Sequence, residues 1–200
     1  MKFIELSMEN LREKSLELAK NIEKTYKPDL VVFVAKGSYI IGEEISKHFN
    51  TPLVEVYATR EGNKIKNILS PFIKLVPRDL KNYLRKKEVK SGIHDKNTKR
   101  RVYFKKEYKE LMLSKNILIV DDSVDTGHTA KQVYEHIKEK YENKKIKFAS
   151  LNYFKKSEEL FKVDYCLHEN YIMIGPWSKD SKYYKEFLTR YNLAKKKGVI

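Results

Sequence analysis

Two hundred residues are enough for one domain with a substantial core and too few for two large ones, so we expect a single domain over residues 1–200. No apolar run reaches the 18 residues of a membrane-spanning helix, and the lone Cys166 excludes an intramolecular disulfide and a multi-cysteine metal site. The formal net charge of +15 favours anionic partners, such as phosphorylated metabolites or nucleic acid.

The first part of the chain alternates helix and strand patterns. Residues 8–25 space their apolar side chains about 3.6 residues apart and predict an amphipathic helix. Glutamates interrupt the apolar positions of the N-terminal segment, unlike a secretory signal, so we expect a cytoplasmic protein without a membrane partner. The run LVVFVA, ended by Lys36 and Gly37, predicts a strand covered on both faces. A helix with Ser38 as its N-cap and a second strand, TPLVEVYAT, follow.

The middle of the chain, residues 60–113, has a different composition. It holds 17 Lys and Arg against 6 Asp and Glu, and it shows little apolar periodicity. We interpret it as a basic insertion, helical or partly mobile, that lies outside the main sheet. The aromatic residues in RRVYFKKEYK would suit nucleic-acid binding, although such a stretch is more commonly a solvated face.

The remainder returns to alternating elements. It reads as strand NILIV, an acidic loop, helix TAKQVYEHIKEKY, strand KIKFASLNYF, the apolar segment DYCLHENYIMIGPW and a helical end with a basic tail. Strands that alternate with helices predict an α/β domain with a mainly parallel twisted sheet flanked by helices.

The acidic loop lies within ILIVDDSVDTGHTA, residues 117–130. This very basic chain places Asp121, Asp122 and Asp125 within five residues of each other. Like charges so close repel, so the arrangement costs stability unless a ligand compensates it. The loop therefore indicates a binding site for a cation or for a ligand with hydrogen-bond donors.

The end of this loop suits a phosphate. A helix begins near Thr129, and helix N-termini present unpaired N–H groups and a partial positive charge. Gly127 permits close approach of the backbone, while Thr126 and Thr129 add donors. The preceding acids could accept hydrogen bonds from vicinal hydroxyls, directly or through hydrated Mg²⁺, so the loop suits a ribose 5-phosphate. The alternative is simple helix capping, which needs only one or two such residues.

The stretch resembles the phosphoribosyl pyrophosphate (PRPP) motif of the type I phosphoribosyltransferases, in which four apolar residues and two acids precede Asp-Thr-Gly-x-Thr. The resemblance implies that Asp121 and Asp122 bind the ribose hydroxyls and, through water, Mg²⁺. It also implies a 5-phosphate loop made by Asp125, Thr126, Gly127, His128 and Thr129. In purine-using members, the residue matching Asp125 lies near N7 of the base and is the proposed catalytic proton acceptor or donor.

A second resemblance concerns PDLVVFVAKGSYIIGEEIS, which is similar to the family's first strand and pyrophosphate loop. Its AKGS resembles the LKGG-type loop of hypoxanthine-guanine enzymes and implies that the backbone amides of Lys36, Gly37 and Ser38 bind pyrophosphate. In those relatives the peptide bond before this lysine can be cis. Considered without the resemblance, Lys36 and Gly37 could form an ordinary turn after a strand.

The stretch KIKFASLNYFKK, followed by VDYCLHENYIMIGPW, is similar to the part of these enzymes that supplies the base pocket. We therefore expect residues 152–200 to form a base-pocket segment and a tail. The resemblance implies that Lys155, or its neighbour Lys156, contacts the exocyclic oxygen of a 6-oxopurine. It also implies that Tyr171 or Ile172 stacks on the base. GPW resembles the PW segment of bacterial xanthine-guanine enzymes, so Trp177 either contacts the ligand or simply packs.

The resemblance covers about residues 27–59 and 115–180 and fails in the basic insertion. Four arginines in that insertion are candidates to close over pyrophosphate: Arg60, Arg78, Arg100 and Arg101. The family activity would be Mg²⁺-dependent transfer of ribose 5-phosphate from PRPP to a nucleobase, in purine salvage, by a homodimer or higher homo-oligomer. The alternatives are a transferase with another small acceptor and a PRPP-sensing regulator that binds nucleic acid without catalysis.

Overall fold

The computed structural model describes residues 2–60 and 100–200. Its strands are β1 (Lys2–Glu5), β2 (Leu30–Val34), β3 (Leu53–Arg60), β4 (Arg100–Tyr103), β5 (Asn116–Val124), β6 (Lys145–Tyr153), β7 (Tyr165–Glu169) and β8 (Tyr171–Ile174). Its α-helices are α1 (Met8–Glu23), α2 (Tyr39–Phe49), α3 (Lys109–Leu113), α4 (His128–Lys140) and α5 (Tyr184–Lys196), and a short 3₁₀ helix spans Lys155–Glu159. Within these residues no helix combines the length and apolarity needed to cross a membrane.

The main sheet has six strands in the order β4-β3-β2-β5-β6-β7. The five neighbouring strands β3, β2, β5, β6 and β7 run parallel, and β4 pairs antiparallel with β3 at one edge. The predicted α/β fold with a mainly parallel sheet is therefore confirmed.

Helices cover both faces of this sheet, which explains why every residue of β2 is buried. Val31 and Phe33 belong to the core under α1, α2 and α5, whereas Leu30 and Val32 belong to the core under α3 and α4. Successive strand residues point to opposite faces, so an uninterrupted apolar run supplies both cores at once.

The prediction that residues 60–113 lie outside the main sheet was wrong at the end of that segment. Arg100–Tyr103 forms β4, and Tyr103 pairs with Tyr57 of β3. An edge strand needs only one apolar contact face, and Val102 supplies it by packing against the core under α3 and α4. Residues 61–99 of the predicted insertion lie outside the described part of the chain.

Two further strands differ from the prediction. β5 continues past the apolar run to Val124, because Asp121 and Ser123 keep their backbone pairing with β6. β1 had no sequence signal, and it pairs in parallel with β8 in a separate two-stranded sheet. That sheet joins the N-terminus to the predicted base-pocket segment.

The strand order reverses between β2 and β5. From β2 the chain proceeds outward to β3, whereas from β5 it proceeds in the other direction to β6 and β7. In open parallel sheets, ligands bind beyond the carboxyl ends of the strands at such a switch point. The residues after β2 and the acidic residues at the end of β5 both lie there.

Candidate functional site

The predicted pyrophosphate loop touches the acid pair at the end of β5, at the switch point. A Cβ atom built on Gly37 would lie 2.9 Å from Oδ1 of Asp122, so this backbone and this carboxylate are in direct contact. The Ala35–Lys36 peptide bond is cis, as the resemblance implied. Ser38 occupies the N-cap position of α2, but its hydroxyl donates to the carbonyl of Val34 and does not cap the helix as predicted.

The acid pair at the end of β5 is poorly compensated within the protein. Asp121 is 7% exposed, and its Oδ1 accepts a hydrogen bond of 2.9 Å from the backbone N–H of Asp122. Burial, together with the charge of Asp122, raises the pKa of Asp121 well above its usual value. Burial also raises the pKa of the half-buried Asp122 to about 6, and the charge of Asp125 adds to the shift. A bound cation would favour the ionised form of both groups.

The described residues contain no group of three or more His, Cys, Asp or Glu side chains that could hold a metal ion. Mg²⁺ commonly takes one or two protein carboxylates and completes its shell with water and substrate phosphates. Asp121 and Asp122, two acids with raised pKa values at one strand end, fit that pattern.

The predicted 5-phosphate loop leads directly into α4. Gly127 has a φ of +80° and caps the helix, and a Cβ there would lie 3.1 Å from the carbonyl oxygen of Ser157 and 3.2 Å from Cβ of Phe161. Glycine therefore meets both a backbone requirement and a space requirement. The loop opens on a cleft whose lining includes Asp121, Ser123, Asp125, Thr126, Gly127, Thr129 and Arg100.

Arg100 is the candidate arginine that the structure places in this cleft. Its Nε donates to Oγ1 of Thr129 at 3.2 Å, and its backbone N–H donates to Oε1 of Gln132 at 2.6 Å. Arg101 is exposed, and its guanidinium carbon lies 5.7 Å from the centre of the Tyr103 ring. Arg78 and the side chain of Arg60 lie outside the described part of the chain. The position of Arg100 depends on β4, which the sequence did not predict.

The site also contains polar contacts that sequence reasoning missed. The hydroxyl of Ser123 donates to Oδ1 of Asp125 at 2.9 Å, and the fully buried Asn152 contacts Ser123 from β6. The available signal was a polar residue, Asn152, near the end of an otherwise apolar strand pattern.

The predicted base-contact residues differ in exposure: the two lysines are exposed, and the other three side chains are partly or fully buried. Lys155 is exposed, and its Nζ lies 3.2 Å from Oε2 of Glu169. Tyr171 is half-buried, and its backbone carbonyl accepts a hydrogen bond from Nδ2 of Asn152. Asn152 in turn donates to Ser123, which lines the cleft. Ile172 is buried in β8, and Trp177 packs against the core under α1, α2 and α5. Lys156 is exposed. Their roles towards a base stay predictions.

Comparisons with known proteins agree with this fold. The sequence profile described as "Phosphoribosyl transferase domain" matches residues 7–175. A xanthine-guanine-hypoxanthine phosphoribosyltransferase from Helicobacter pylori superimposes with a TM-score of 0.64 at 20% identity, covering 91% of this chain and 97% of that chain. A purine phosphoribosyltransferase from Pyrococcus horikoshii gives 0.61 at 19% identity, covering 90% and 95%.

A third similar structure is a hypothetical protein from Neisseria gonorrhoeae with bound ppGpp, with a TM-score of 0.59 at 15% identity over 97% of this chain and 98% of that chain. No curated protein sequence matches the chain. The structural likenesses support the fold, and the profile covers most of the 200 residues. The chain therefore belongs to the phosphoribosyltransferase family.

Proposed function

We propose that the protein transfers the ribose 5-phosphate unit of PRPP to a 6-oxopurine base, releases pyrophosphate and so serves purine nucleotide salvage. Family membership supports the transfer reaction. The observation that carries the substrate is the contact between Gly37 and Asp122, because it sets a loop suited to pyrophosphate against acids suited to ribose hydroxyls. PRPP carries both groups on adjacent atoms.

Each part of PRPP then has its own partner. The backbone amides of Lys36, Gly37 and Ser38 bind pyrophosphate, and the loop from Asp125 to Thr129 binds the 5-phosphate at the N-terminus of α4. Asp121 and Asp122 accept hydrogen bonds from the ribose hydroxyls and would hold Mg²⁺ through water. When bound, the ion would neutralise charge on the leaving pyrophosphate.

Within the 5-phosphate loop, the side chains differ in what they offer a phosphate. Thr126, Thr129 and the backbone N–H groups of Gly127 and His128 can donate hydrogen bonds, whereas the carboxylate of Asp125 repels an anion. We therefore assign Asp125 to this loop through its backbone, and its exposed carboxylate is left for the base.

The catalytic contribution of the chain is mainly positioning and charge stabilisation. The anomeric carbon acquires oxocarbenium character as its bond to pyrophosphate breaks, so aligned reactants and nearby carboxylates lower the barrier. As N9 of the purine bonds to the anomeric carbon and the bond to pyrophosphate breaks, the carboxylate of Asp125, on the wall of the cleft, accepts the proton from N7.

The base is the less defined half of the site. Lys155, or its neighbour Lys156, donates to the exocyclic oxygen of a 6-oxopurine, and Tyr171 or Ile172 stacks on the ring. Trp177 packs against the core under α1, α2 and α5, and its contact with the base is the remaining part of this assignment. The purine choice is supported by the names of the Helicobacter pylori and Pyrococcus horikoshii structures, both of which are purine enzymes.

A second candidate function is nucleotide sensing without transfer. The Neisseria gonorrhoeae structure of similar fold carries ppGpp, a guanine nucleotide with phosphates on both sides of its ribose. The cleft of this chain joins the N-terminus of α4 to the carboxylate of Asp121, and such a ligand with a metal ion would match both features.

The test is an assay of the purified protein with PRPP, Mg²⁺ and separate bases: hypoxanthine, guanine, xanthine, adenine, uracil and orotate. Pyrophosphate release with a 6-oxopurine supports the proposal, and release only with another acceptor reassigns the substrate. No release with any base, combined with tight ppGpp binding, would favour the sensor. Mass measurement in solution tests the expected homodimer in the same samples.

The assignment of Asp125 has its own variant. Asp125→Asn should lower kcat by about 10² to 10⁴, the usual contribution of a positioned acid or base, while calorimetry shows that PRPP still binds. Full activity of the variant would remove Asp125 from catalysis.

A further inference from the structure

Asn152 forms a clamp between β6 and β8. Its side-chain Nδ2 donates to the carbonyl oxygen of Tyr171 at 3.0 Å, and its Oδ1 accepts from the backbone N–H of Tyr171 at 3.1 Å. A carbonyl can only accept and an N–H can only donate, so these two contacts fix which end of the amide is which. Asn152 is fully buried, so packing around the side chain also keeps the amide in this orientation.

The fixed amide determines the direction of the next hydrogen bond. Nδ2 of Asn152 also lies 3.0 Å from Oγ of Ser123 and has a second hydrogen to donate there. The hydroxyl of Ser123 accepts that bond, so its own single proton is available to Oδ1 of Asp125 at 2.9 Å. A directed chain thus runs from the backbone of Tyr171 through two side chains to the carboxylate of Asp125.

This chain exceeds what strand assembly requires. Ser123 and Asn152 are already partners in the backbone register of β5 and β6, and the two bonds to Tyr171 attach β8. The bonds from Asn152 to Ser123 and from Ser123 to Asp125 add nothing to either pairing. They do restrict the rotation of an exposed carboxylate on the wall of the cleft.

We propose that Ser123 and Asn152 are positioning residues that couple the segment of Tyr171 to the carboxylate of Asp125. The inference rests on the proposed function, in which Tyr171 stacks on the base and Asp125 exchanges a proton with it. One hydrogen-bonded chain then sets the angle between the ring plane of the base and the carboxylate. Charge-assisted hydrogen bonds of this kind are stronger and more directional than neutral ones.

Ser123 offers a matched pair of variants in the full-length protein. Ser123→Ala removes the hydroxyl, whereas Ser123→Thr keeps it and adds a methyl group that a strand accommodates well. We expect Ser123→Ala to lower kcat by about tenfold, the effect of one hydrogen bond to a charged group, with the KM for PRPP unchanged. Ser123→Thr should stay within about twofold of the wild type.

A double-mutant cycle separates positioning from a general structural role. If the hydroxyl acts through Asp125, adding Ser123→Ala to Asp125→Asn should cause no further loss of kcat. Additive losses, equal losses in the Ala and Thr variants, or an unchanged Ala variant would each overturn the inference and leave the proposed function intact. A wild-type protein that transfers to no base would overturn the proposed function and this inference with it.

Discussion

Gly37 lies in the loop after β2 and Asp122 at the end of β5, yet an alanine side chain at Gly37 would approach Oδ1 of Asp122 to 2.9 Å and its Cγ to 3.0 Å. Real Cβ atoms do not come this close to other heavy atoms, so Gly37→Ala must move either the carboxylate or the loop. Because we assign pyrophosphate to the loop of Gly37 and ribose to the acid pair of β5, we expect PRPP affinity in the presence of Mg²⁺ to fall at least about tenfold, by about 1.4 kcal/mol. Isothermal titration calorimetry measures this loss.

Gly198→Ala is the control for this variant. Gly198 has a φ of +67° near the C-terminus, and nothing lies within 4 Å of an added Cβ. The change should cost about 1 kcal/mol of stability through its backbone conformation and leave PRPP affinity unchanged. Unchanged affinity in Gly37→Ala would show that PRPP binding does not depend on the contact between Gly37 and Asp122.

The acid pair makes stability depend on pH. Burial raises the pKa of Asp122 from 3.8 to about 6, so the folded protein holds this proton more tightly than the unfolded chain does. The unfolded chain therefore loses its proton first, so the contribution of Asp122 to the free energy of unfolding falls as pH rises from about 4 to about 6 and then levels off. The raised pKa of Asp121 adds a second fall in the same direction. Asp122→Asn removes the loss that Asp122 causes and should stabilise the ligand-free protein by about 1 to 3 kcal/mol at pH 7.

Urea unfolding at several pH values tests this expectation. The advantage of Asp122→Asn should disappear below about pH 4, where both forms of the wild-type protein are protonated. Glu142→Gln, an exposed change beyond the other end of α4, alters the net charge equally and should show no such pH dependence. An Asp122→Asn variant that is less stable than wild type at pH 7 contradicts the account of an uncompensated pair.

How far the sequence leads depends on how local each signal is. The acids, glycine and threonines of residues 117–130 act within one strand-loop-helix unit, so their spacing predicts both the local fold and the chemistry. β1 and β8 are distant in the sequence, and neither short segment contains a sign of the other. The position of Arg100 in the cleft could not be predicted, because it depends on an edge strand inside a stretch without apolar periodicity.

The hydrogen bonds of Asn152 show the same limit at the scale of side chains. Residue type indicated a polar group near the end of β6, but its partners come from β5 and β8. Such contacts depend on the register of three strands. An apolar pattern predicts which residues of one strand face the core, but it does not predict which residues of neighbouring strands lie side by side. The local strand-loop-helix arrangement was therefore predictable at this site, and its long-range support was not.

Helix α5 is attached to α2, the helix that begins after the predicted pyrophosphate loop. Arg190 of α5 donates to Oε2 of Glu43 on α2, at 3.0 Å from Nε and 2.7 Å from Nη2. Both side chains are partly exposed, so we expect Arg190→Ala to lower the free energy of unfolding by about 1 kcal/mol. Glu43 keeps the hydrogen bond from the hydroxyl of Tyr39, which limits the loss.

Arg190→Lys separates charge from geometry, because a lysine cannot reproduce the two-pronged contact. It should recover less than half of the lost stability in urea unfolding, with kcat close to wild type in both variants. If Arg190→Ala costs as much in a Glu43→Gln background as in the wild type, the stabilisation does not come from this pair.

Lys155 and Lys156 can be distinguished as base contacts because Lys155 contributes little to folding. Its ion pair with Glu169 is solvent-exposed, with 65% and 45% of the two side chains accessible, and such pairs contribute about 0 to 1 kcal/mol. A kinetic effect at Lys155 can therefore be attributed to the ligand. Lys155 begins the 3₁₀ helix just after β6. Because its side chain is exposed and flexible, it can exchange Glu169 for another partner by rotation at low cost.

Lys155→Gln should raise the KM for a 6-oxopurine by about tenfold or more, because a hydrogen bond from a cation to the exocyclic oxygen is lost. The KM for PRPP and the urea midpoint should stay unchanged. Glu169→Gln breaks the same ion pair without touching the base, so it should leave the KM for the base at its wild-type value. A large effect in Lys156→Gln alone would transfer the role to that neighbour. Equal, small effects in both lysine variants would contradict recognition of the 6-oxo group by a lysine at this strand end.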